Sequence, residues 1–349
     1  MTNYKKRLVI GTRSRGLALA QTRIFIEKLL HNYPGMRPDS IEIRQIKTSG
    51  DQNQSIRLDQ MGGKGLFAKE IETEILNGTI DLGIHSMKDM PADENNDLSI
   101  ACWLERHDHR DALLTNSSHQ SFMGLTEHSL IGTSSIRRRS QIINLRQDLK
   151  IKSLRGNVDT RIKKLEDKEF DAIVLSVAGL KRLSLDHLIS YTFSDDELLP
   201  AACQGAIGVQ IDSSNLDLKT FLEPLNHSLT EITCKIERDV LRTIKANCNS
   251  PIGLLAKETD DVIQLHCDIF DHSGKKIFSS KAKKSYSEST LLGIEMGDEI
   301  LASLGQSVID NLDNFENDFD YTPDRLSLIH ISEPTRQEAI SYAVFCLKK

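Results

Sequence analysis

The chain has 349 residues, of which 39% are hydrophobic and 27% are charged, and its formal net charge is -6. This composition is typical of a globular protein with two or three domains, and no apolar run approaches the roughly 18 residues of a membrane span. The acidic balance disfavours a general nucleic-acid binder, so we expect neither a nucleic-acid nor a membrane partner, and any local arginine cluster would indicate a specific anionic ligand.

The amino-terminal stretch "MTNYKKRLVIG" leads almost directly into a strand-like segment and leaves no room for a signal peptide. The cysteines show no CxxC motif and no regular spacing, which favours free thiols in a reducing cytoplasm over a disulfide framework or a zinc site. We therefore expect a cytoplasmic monomer without a metal. The cysteines are Cys102, Cys203, Cys234, Cys248, Cys267 and Cys346.

Two stretches of the first two hundred residues begin alike. Residues 7–30 and 128–146 each give an apolar strand, a turn containing glycine and a helical pattern, and they share Ile-Gly-Thr at 10–12 and 131–133. Further strands alternate with helices after each stretch, which is typical of parallel βαβ units with right-handed crossovers. The sequence therefore predicts two similar α/β lobes with a cleft between them.

Basic residues concentrate in the loops that follow the predicted strands. Ligands of open α/β sheets bind beyond the carboxyl ends of the strands, and helix N-termini there attract anions. A single such arginine is usually a solvated loop cation, but several around one cleft favour a ligand with carboxylates or phosphates, which guanidinium groups bind bidentately. The cations are Arg13, Arg15, Lys88, Arg137, Arg138, Arg155 and Arg161.

Residues 220–312 predict a small α+β third domain. Apolar residues recur every four positions in 227–246, which indicates an amphipathic helix, and an antiparallel meander and a closing helix at 290–312 follow. Cys248 lies between them in "NCNSPIG" (247–253), on a loop that could face the cleft. The predicted domains are 1–103 with 196–219, then 104–195, then 220–312, and the chain crosses back to the first lobe at 198–210.

Seven motifs occur in a fixed order along the chain. They are "GGKGLFAKEIE" (62–72), "DLGIHSMKDMPA" (81–92), "IGTSSIRRRSQ" (131–141), "SLRGNVDTR" (153–161), "DAIVLSVAGLKRL" (171–183), "PAACQGAIG" (200–208) and "NCNSPIG" (247–253). Each motif is weak alone, but the ordered set is highly specific. Together they closely resemble the hydroxymethylbilane synthase family, also called porphobilinogen deaminase, from about residue 7 to 312.

The resemblance implies a covalent cofactor and a reaction. Members of this family carry a dipyrromethane on the cysteine that matches Cys248, add four porphobilinogen units to its free end, and release the linear tetrapyrrole by hydrolysis. The resemblance makes Asp89 the catalytic carboxylate beside the pyrrole N–H groups. Without it, Cys248 would be read as a half-buried structural thiol and Asp89 as a turn former.

The resemblance also assigns a role to the cations, because the acetate and propionate groups of the pyrroles are anions that these residues would bind. The residues expected to hold the cofactor are Ser86, Lys88, Ser135, Arg137, Arg138 and Arg155. Those expected to bind substrate are Arg13, Arg155, Arg161 and Lys64.

The chain departs from the usual pattern of the family at several places. Arg15-Gly16 replaces Ser-Pro, Gln60 replaces a lysine, and Ala246-Asn247 replaces Gly-Gly before the cysteine. His107 and His109 form an H-x-H pair that could suggest a metal, although a solvated loop is the favoured interpretation.

One rival function shares the two-lobe layout. A non-enzymatic binding protein for a small polyanion would explain the cleft and its arginines. It would not explain Asp89 together with an anchoring cysteine in a third domain.

The carboxyl-terminal part of the sequence divides into two segments. Residues 313–325 are acidic with scattered aromatics, which predicts a solvated extension. Residues 326–349 resemble no part of the family and look like the translation of a sequencing adapter. The alternative is a lineage-specific strand-like extension.

Overall fold

The computed structural model describes residues 7–48, 68–93, 95–116, 121–246, 250–313 and 320–322. Among the helices in these ranges, none combines the length and the apolar character that a bilayer crossing requires. The segment 326–349 lies outside the described residues, as do Lys64, Gln60, Asn247 and Cys248.

The first lobe is a mixed five-stranded sheet covered by helices. Its sheet has the strand order β2-β1-β3-β10-β4. The first three strands of that order run parallel, as the sequence predicts, whereas β10 runs antiparallel to both of its neighbours. The elements are β1 (Leu8–Arg13), α1 (Gly16–Asn32), β2 (Ile41–Ile46), α2 (Lys69–Leu76), β3 (Leu82–Ser86), β4 (Leu98–Trp103), β10 (Ile207–Asp212) and α6 (Leu216–Leu222).

The second lobe repeats this plan. Its sheet has the strand order β7-β6-β8-β5-β9, in which β6 runs parallel to β7 and β8, and β5 runs antiparallel to β8 and β9. The strands are β5 (Asp111–Thr115), β6 (Leu130–Thr133), β7 (Lys150–Ser153), β8 (Ala172–Ser176) and β9 (Tyr191–Thr192). The helices are α3 (Ile136–Leu145), α4 (Val158–Glu166) and α5 (Val177–Arg182).

The repeated Ile-Gly-Thr motif lies on the equivalent strands β1 and β6, and packing explains its glycine. A Cβ on Gly11 would lie 2.3 Å from the side chain of Ile80, and one on Gly132 would lie 2.9 Å from that of Phe170. Ile80 and Phe170 each precede the next parallel strand of their lobe. Glycine therefore lets a large apolar side chain pack directly on the strand in both lobes.

The third domain is an antiparallel sheet with helices on one face, so the predicted class of two α/β lobes plus a small α+β domain is confirmed. Its core is formed by apolar residues of α7 and α8 against the sheet. The predicted closing helix is divided by Gly305, which has a φ of 78°. The elements are α7 (Ser228–Thr243), β11 (Ile252–Thr259), β12 (Val262–Phe270), β13 (Lys276–Ser285), α8 (Leu292–Leu304) and α9 (Gln306–Asp313).

A buried carboxylate joins the third domain to the two segments that cross between the lobes. The first crossing connects β4 to β5, and the second connects β9 to β10. Glu237 of α7 is fully buried, and its Oε1 lies 2.7 Å from Nη1 of Arg106 in the first crossing. The same carboxylate accepts hydrogen bonds from the backbone N–H groups of Cys203, in the second crossing, and of Ala256 on β11. All three parts of the molecule therefore meet at this side chain.

The end of the acidic segment corrects one prediction. The sequence predicts a solvated extension for 313–325, but this is wrong at Tyr321, which is only 6% exposed between the exposed residues Asp320 and Thr322. Its backbone exchanges two hydrogen bonds with Ile151 of β7, with N–O distances of 2.8 and 2.9 Å, and its hydroxyl donates to the carbonyl of Gln147. These residues add one bridge to the edge of the second sheet, because an edge strand leaves backbone groups unpaired.

Candidate active site

A cavity of about 230 Å³ lies where the carboxyl ends of the strands of the two lobes face each other. The first lobe contributes the start of α1, near Gly16, and the segment after β3 that carries Asp89. The second lobe contributes the start of α4, near Asn157, and the start of α5. These are the strand ends and helix N-termini at which the sequence predicts a ligand.

Positive charge dominates the wall of this cavity. Five cations face only two carboxylates among the described lining residues, so the site suits a ligand with several negative charges. The cations are Arg13, Arg15, Lys88, Arg138 and Arg161, and the carboxylates are Asp89 and Asp159.

Asp89 ends a short 3-10 helix, Met87–Asp89, that directly follows β3. It is half-buried and lines the cavity. The pKa of Arg161 is lowered to about 10, mainly by burial and to a smaller extent by Arg138, while Asp89 partly opposes the shift. The Asp89 carboxylate therefore lies within electrostatic reach of an arginine from the other lobe.

Lys88 carries a shifted pKa although part of its side chain faces the cavity. The surrounding protein removes most of its water, and this burial, with a smaller contribution from Arg138, lowers the pKa of Lys88 to about 8. The carboxylates of Asp89 and Asp111 act in the opposite direction. The Nζ atom donates a hydrogen bond to Oε1 of Gln204 at 3.2 Å.

The fully buried Asp111 organises two neighbouring arginines of α3. Its Oδ2 lies 2.8 Å from Nη2 of Arg137, and its Oδ1 lies 2.7 Å from Nη2 of Arg138. Burial alone would raise the pKa of Asp111, but the two guanidinium groups hold it well below its usual range. The second Nη atoms of these arginines donate to the carbonyls of Leu199 and Val174, so both guanidinium planes are fixed.

The remaining predicted residues form two groups, those that line the cavity and those that do not. Ser86 lines the cavity and accepts a 2.6 Å hydrogen bond from Gln21. Of the described candidates, Ser135, Arg137 and Arg155 do not line it. The hydroxyl of Ser135 caps α3 by accepting from the N–H of Arg138.

Sequence reasoning missed several polar residues of the site, among them Gln21, Asp111 and Gln204. Gln21 lines the cavity, and the buried side chains of Asp111 and Gln204 contact its cations Arg138 and Lys88. Gln204 stands in the quoted motif "PAACQGAIG", where a glutamine between small and apolar residues was a signal for a buried polar role. Asp111 gave no such signal, because it is one charge among several in "RHDHRD".

The His107 and His109 pair has an ordinary structural setting. Nε2 of His109 lies 2.8 Å from Oδ1 of Asp195. Within the described ranges, the one group with metal-ligand proximity is Cys203, Cys234 and Glu237, and Glu237 already accepts from Arg106 and from two backbone N–H groups.

Comparison with known proteins places this chain in a family. Residues 8–220 match the family described as "Porphobilinogen deaminase, dipyromethane cofactor binding domain", and residues 231–302 match "Porphobilinogen deaminase, C-terminal domain". The chain belongs to the porphobilinogen deaminase family. The two matched regions together include every described candidate residue of the cavity.

Individual relatives are similar to this chain over nearly their whole length. The porphobilinogen deaminase of Chloroherpeton thalassium is 35% identical over 309 residues, which cover 87% of this chain and 97% of the relative. That of Wolbachia sp. subsp. Drosophila simulans is 39% identical over 292 residues, which cover 83% of this chain and 97% of the relative. Among solved structures, substrate binding domain 2 of Lactococcus lactis GlnP in its open conformation has a TM-score of 0.39 and 12% identity, and the match covers 64% of this chain and 89% of that one.

Proposed function

We infer that the protein is a hydroxymethylbilane synthase. It condenses four porphobilinogen units head to tail, with loss of ammonia, onto a cysteine-linked dipyrromethane primer, and it releases the linear tetrapyrrole by hydrolysis. The observation that carries this conclusion is the ordered match of both porphobilinogen deaminase domains to a chain with a strongly cationic cleft. A non-enzymatic binding protein is disfavoured, because it would not account for the match of the cofactor-binding and carboxyl-terminal domains together.

The cleft fits a dipyrromethane with acetate and propionate side chains. The Nε atom of Arg138 is buried and has no hydrogen-bond partner among the described residues, and Arg138 lines the cavity. The ammonium of Lys88 has three N–H groups, and Gln204 is the one acceptor for them among the described residues. Such donors suit carboxylates, so we assign Lys88, Arg138 and Ser86 to the cofactor, with Arg13 and Arg161 holding substrate carboxylates.

Other predicted residues support the site from outside the cavity wall. Arg137 and Ser135 fix the position and orientation of Arg138 through Asp111 and the first turn of α3. Arg155 lies between β7 and α4, one residue before the part of that loop that lines the cavity. We keep Arg155 and Lys64 as proposed ligands of the growing chain.

Cys248 is the proposed anchor. The support is its place in "NCNSPIG" and the packing of β11, which starts four residues later. A Cβ on Gly253 would lie 2.7 Å from Cβ of Leu199, whose carbonyl accepts a hydrogen bond from Arg137. The strand that follows the anchor thus packs against the segment that orients the arginines. When bound, the dipyrromethane supplies the pyrrole carbon that acts as the nucleophile.

Asp89 is the proposed catalytic carboxylate. When ammonia leaves porphobilinogen, the C–N bond of its aminomethyl group breaks and positive charge develops on the pyrrole. A fixed, half-buried carboxylate stabilises that charge more than it stabilises the neutral ring. Asp89 would also take part in the proton transfers that accompany the loss of ammonia and the formation of the C–C bond.

We further propose that the enzyme works as a cytoplasmic monomer without nucleic-acid partners. The support is its acidic balance and its free thiols, of which Cys102, Cys203, Cys234 and Cys267 are buried.

The function is tested by incubating the purified protein with porphobilinogen. The expected result is consumption of porphobilinogen, release of one ammonia for each unit consumed, and a linear tetrapyrrole that closes and oxidises to a coloured porphyrin. Binding of porphobilinogen without ammonia release would favour the binding-protein alternative and contradict the proposal.

A further inference from the structure

Gln204 occupies a tightly held turn in the second crossing between the lobes. It is 1% exposed, and its neighbours Cys203 and Gly205 both have positive φ values, 58° and 92°. A Cβ on Gly205 would lie 2.5 Å from the carbonyl oxygen of His107, so the two crossing segments are in close backbone contact there. The Nε atom of Arg106 donates to the carbonyl of Gln204 at 2.8 Å, which fixes the backbone of this turn.

The side-chain amide of Gln204 contacts both lobes. Its Oε1 accepts from Nζ of Lys88 at 3.2 Å, and Lys88 belongs to the first lobe. Its Nε2 donates at 2.8 Å both to Oδ1 of Asp111, on the first strand of the second lobe, and to the carbonyl of His109. The reversed amide orientation is excluded, because it would place the oxygen against a carboxylate and a carbonyl.

We propose that Gln204 is a positioning residue that holds the Lys88 ammonium in the cleft and couples it to the carboxylate that orients Arg137 and Arg138. This inference rests on the proposed function, because it concerns the cations that bind the substrate and the growing chain. The chemical argument is that an amide accepts a hydrogen bond without neutralising the charge of the lysine. If Lys88 paired directly with Asp111, the two charges would neutralise each other. Lys88 would then also compete with Arg137 and Arg138 for the Asp111 carboxylate.

The charged groups around Lys88 come from several elements. Arg137 and Arg138 on α3 disfavour its ammonium form, and Asp89 beside it and Asp111 on β5 favour that form. Burial is the largest influence and disfavours the charge. In this setting the amide oxygen of Gln204 is the hydrogen-bond acceptor that supports the charged form without adding a charge.

The test measures the protonation of Lys88 directly. The purified enzyme with its cofactor is labelled with acetic anhydride from pH 6 to 11, and the acetylated fraction of Lys88 is read by peptide mass spectrometry. The variants are Gln204→Met, which removes the amide, and Gln204→Asn, which keeps an amide but draws its oxygen back from Lys88. The matched control is Gln141→Met, because Gln141 is equally buried and bridges to Leu199 in the same crossing but contacts no cleft cation in the described structure.

We expect the labelling midpoint of Lys88 to fall in Gln204→Met and in Gln204→Asn, and to stay unchanged in Gln141→Met. If Gln204 only filled space, its replacement would admit water and move the midpoint up towards that of an ordinary lysine. An unchanged or raised midpoint in Gln204→Met therefore overturns the proposal. If that variant does not fold, an unchanged or raised midpoint in Gln204→Asn overturns it.

Turnover gives a second readout. The ratio kcat/KM for porphobilinogen should fall about ten-fold in Gln204→Met, because the Lys88 ammonium then holds the cofactor carboxylates, and the pyrrole that receives porphobilinogen, less firmly. An unchanged kcat/KM in a folded Gln204→Met would contradict the proposal. The labelling midpoints need no turnover, so absence of porphobilinogen consumption by the unchanged protein would refute the proposed function and leave the test of Gln204 intact.

Discussion

The Nη2 atom of Arg138 lies 2.7 Å from Oδ1 of Asp111, a carboxylate that has no exposed surface. Because the other oxygen of Asp111 holds Arg137, one side chain orients two adjacent guanidinium groups. Only Arg138 of the pair lines the cavity. The two arginines therefore differ in position: Arg137 lies behind the cavity wall, and Arg138 forms part of it.

Replacing Asp111 by Asn should destabilise the protein by about 3–5 kcal/mol, because it leaves buried guanidinium groups without a compensating charge. Urea unfolding monitored by circular dichroism measures the change. The control is Lys235→Gln, which removes an ion pair whose lysine is 59% exposed and should cost less than about 1 kcal/mol. Equal effects of the two substitutions would contradict the central place given to Asp111.

Asp89→Asn should lower kcat by about 10²- to 10³-fold, because it keeps the size of the side chain and removes the charge that stabilises the transition state. The cofactor should remain attached, since its anchor is elsewhere. The control is Asp159→Asn, which neutralises the other carboxylate of the cavity and should leave turnover near that of the unchanged enzyme. Comparable losses in both variants would show that general cleft charge, and not Asp89 in particular, supports turnover.

The pKa of Lys88, lowered to about 8, predicts a pH dependence of binding. As the pH rises through this value, the ammonium loses its proton and its attraction for the cofactor carboxylates, so the pyrrole that receives porphobilinogen is held less firmly and kcat/KM should fall. Bound carboxylates raise the pKa, so the fall should begin at or above pH 8. In Lys88→Arg the guanidinium stays charged, and the fall should disappear. A kcat/KM profile shared by both proteins would mean that another group titrates.

The sequence predicts those features of the fold and the site that are determined by one short stretch of the chain. The Ile-Gly-Thr repeat predicts two equivalent lobes because Gly11 and Gly132 meet the same packing need. Lys88 was predictable because it closely follows a strand at the edge where ligands bind, whereas Asp89 was assigned only through the resemblance to the family. The partners of Asp111 and Gln204 come from distant parts of the chain, and the antiparallel entry of β10 depends on the course of the chain through the other lobe, so no local pattern predicts them.

In the carboxyl-terminal segment, we expect residues up to Thr322 to contribute to stability and residues after Thr322 to contribute nothing. Removal of residues 323–349 should leave turnover, cofactor content and melting temperature unchanged, as the adapter interpretation of 326–349 also requires. Removal of 313–349 should cost about 1–3 kcal/mol, because Tyr321 packs into the second lobe and pairs with β7. Hydrogen exchange adds a local readout, since the Ile151 amide loses its acceptor and should exchange faster. A loss of stability on removing only 323–349 would refute the adapter interpretation.

The most direct test of the account is the intact mass of the purified protein before and after replacement of Cys248. The unchanged protein should be heavier than its polypeptide by two pyrrole units, and peptide mapping should locate the addition on the peptide that contains Cys248. Cys248→Ser should lose both the added mass and the turnover, whereas Cys234→Ser, at a buried thiol, should keep the added mass. An active protein without the addition, or with the addition on another cysteine, would contradict the account.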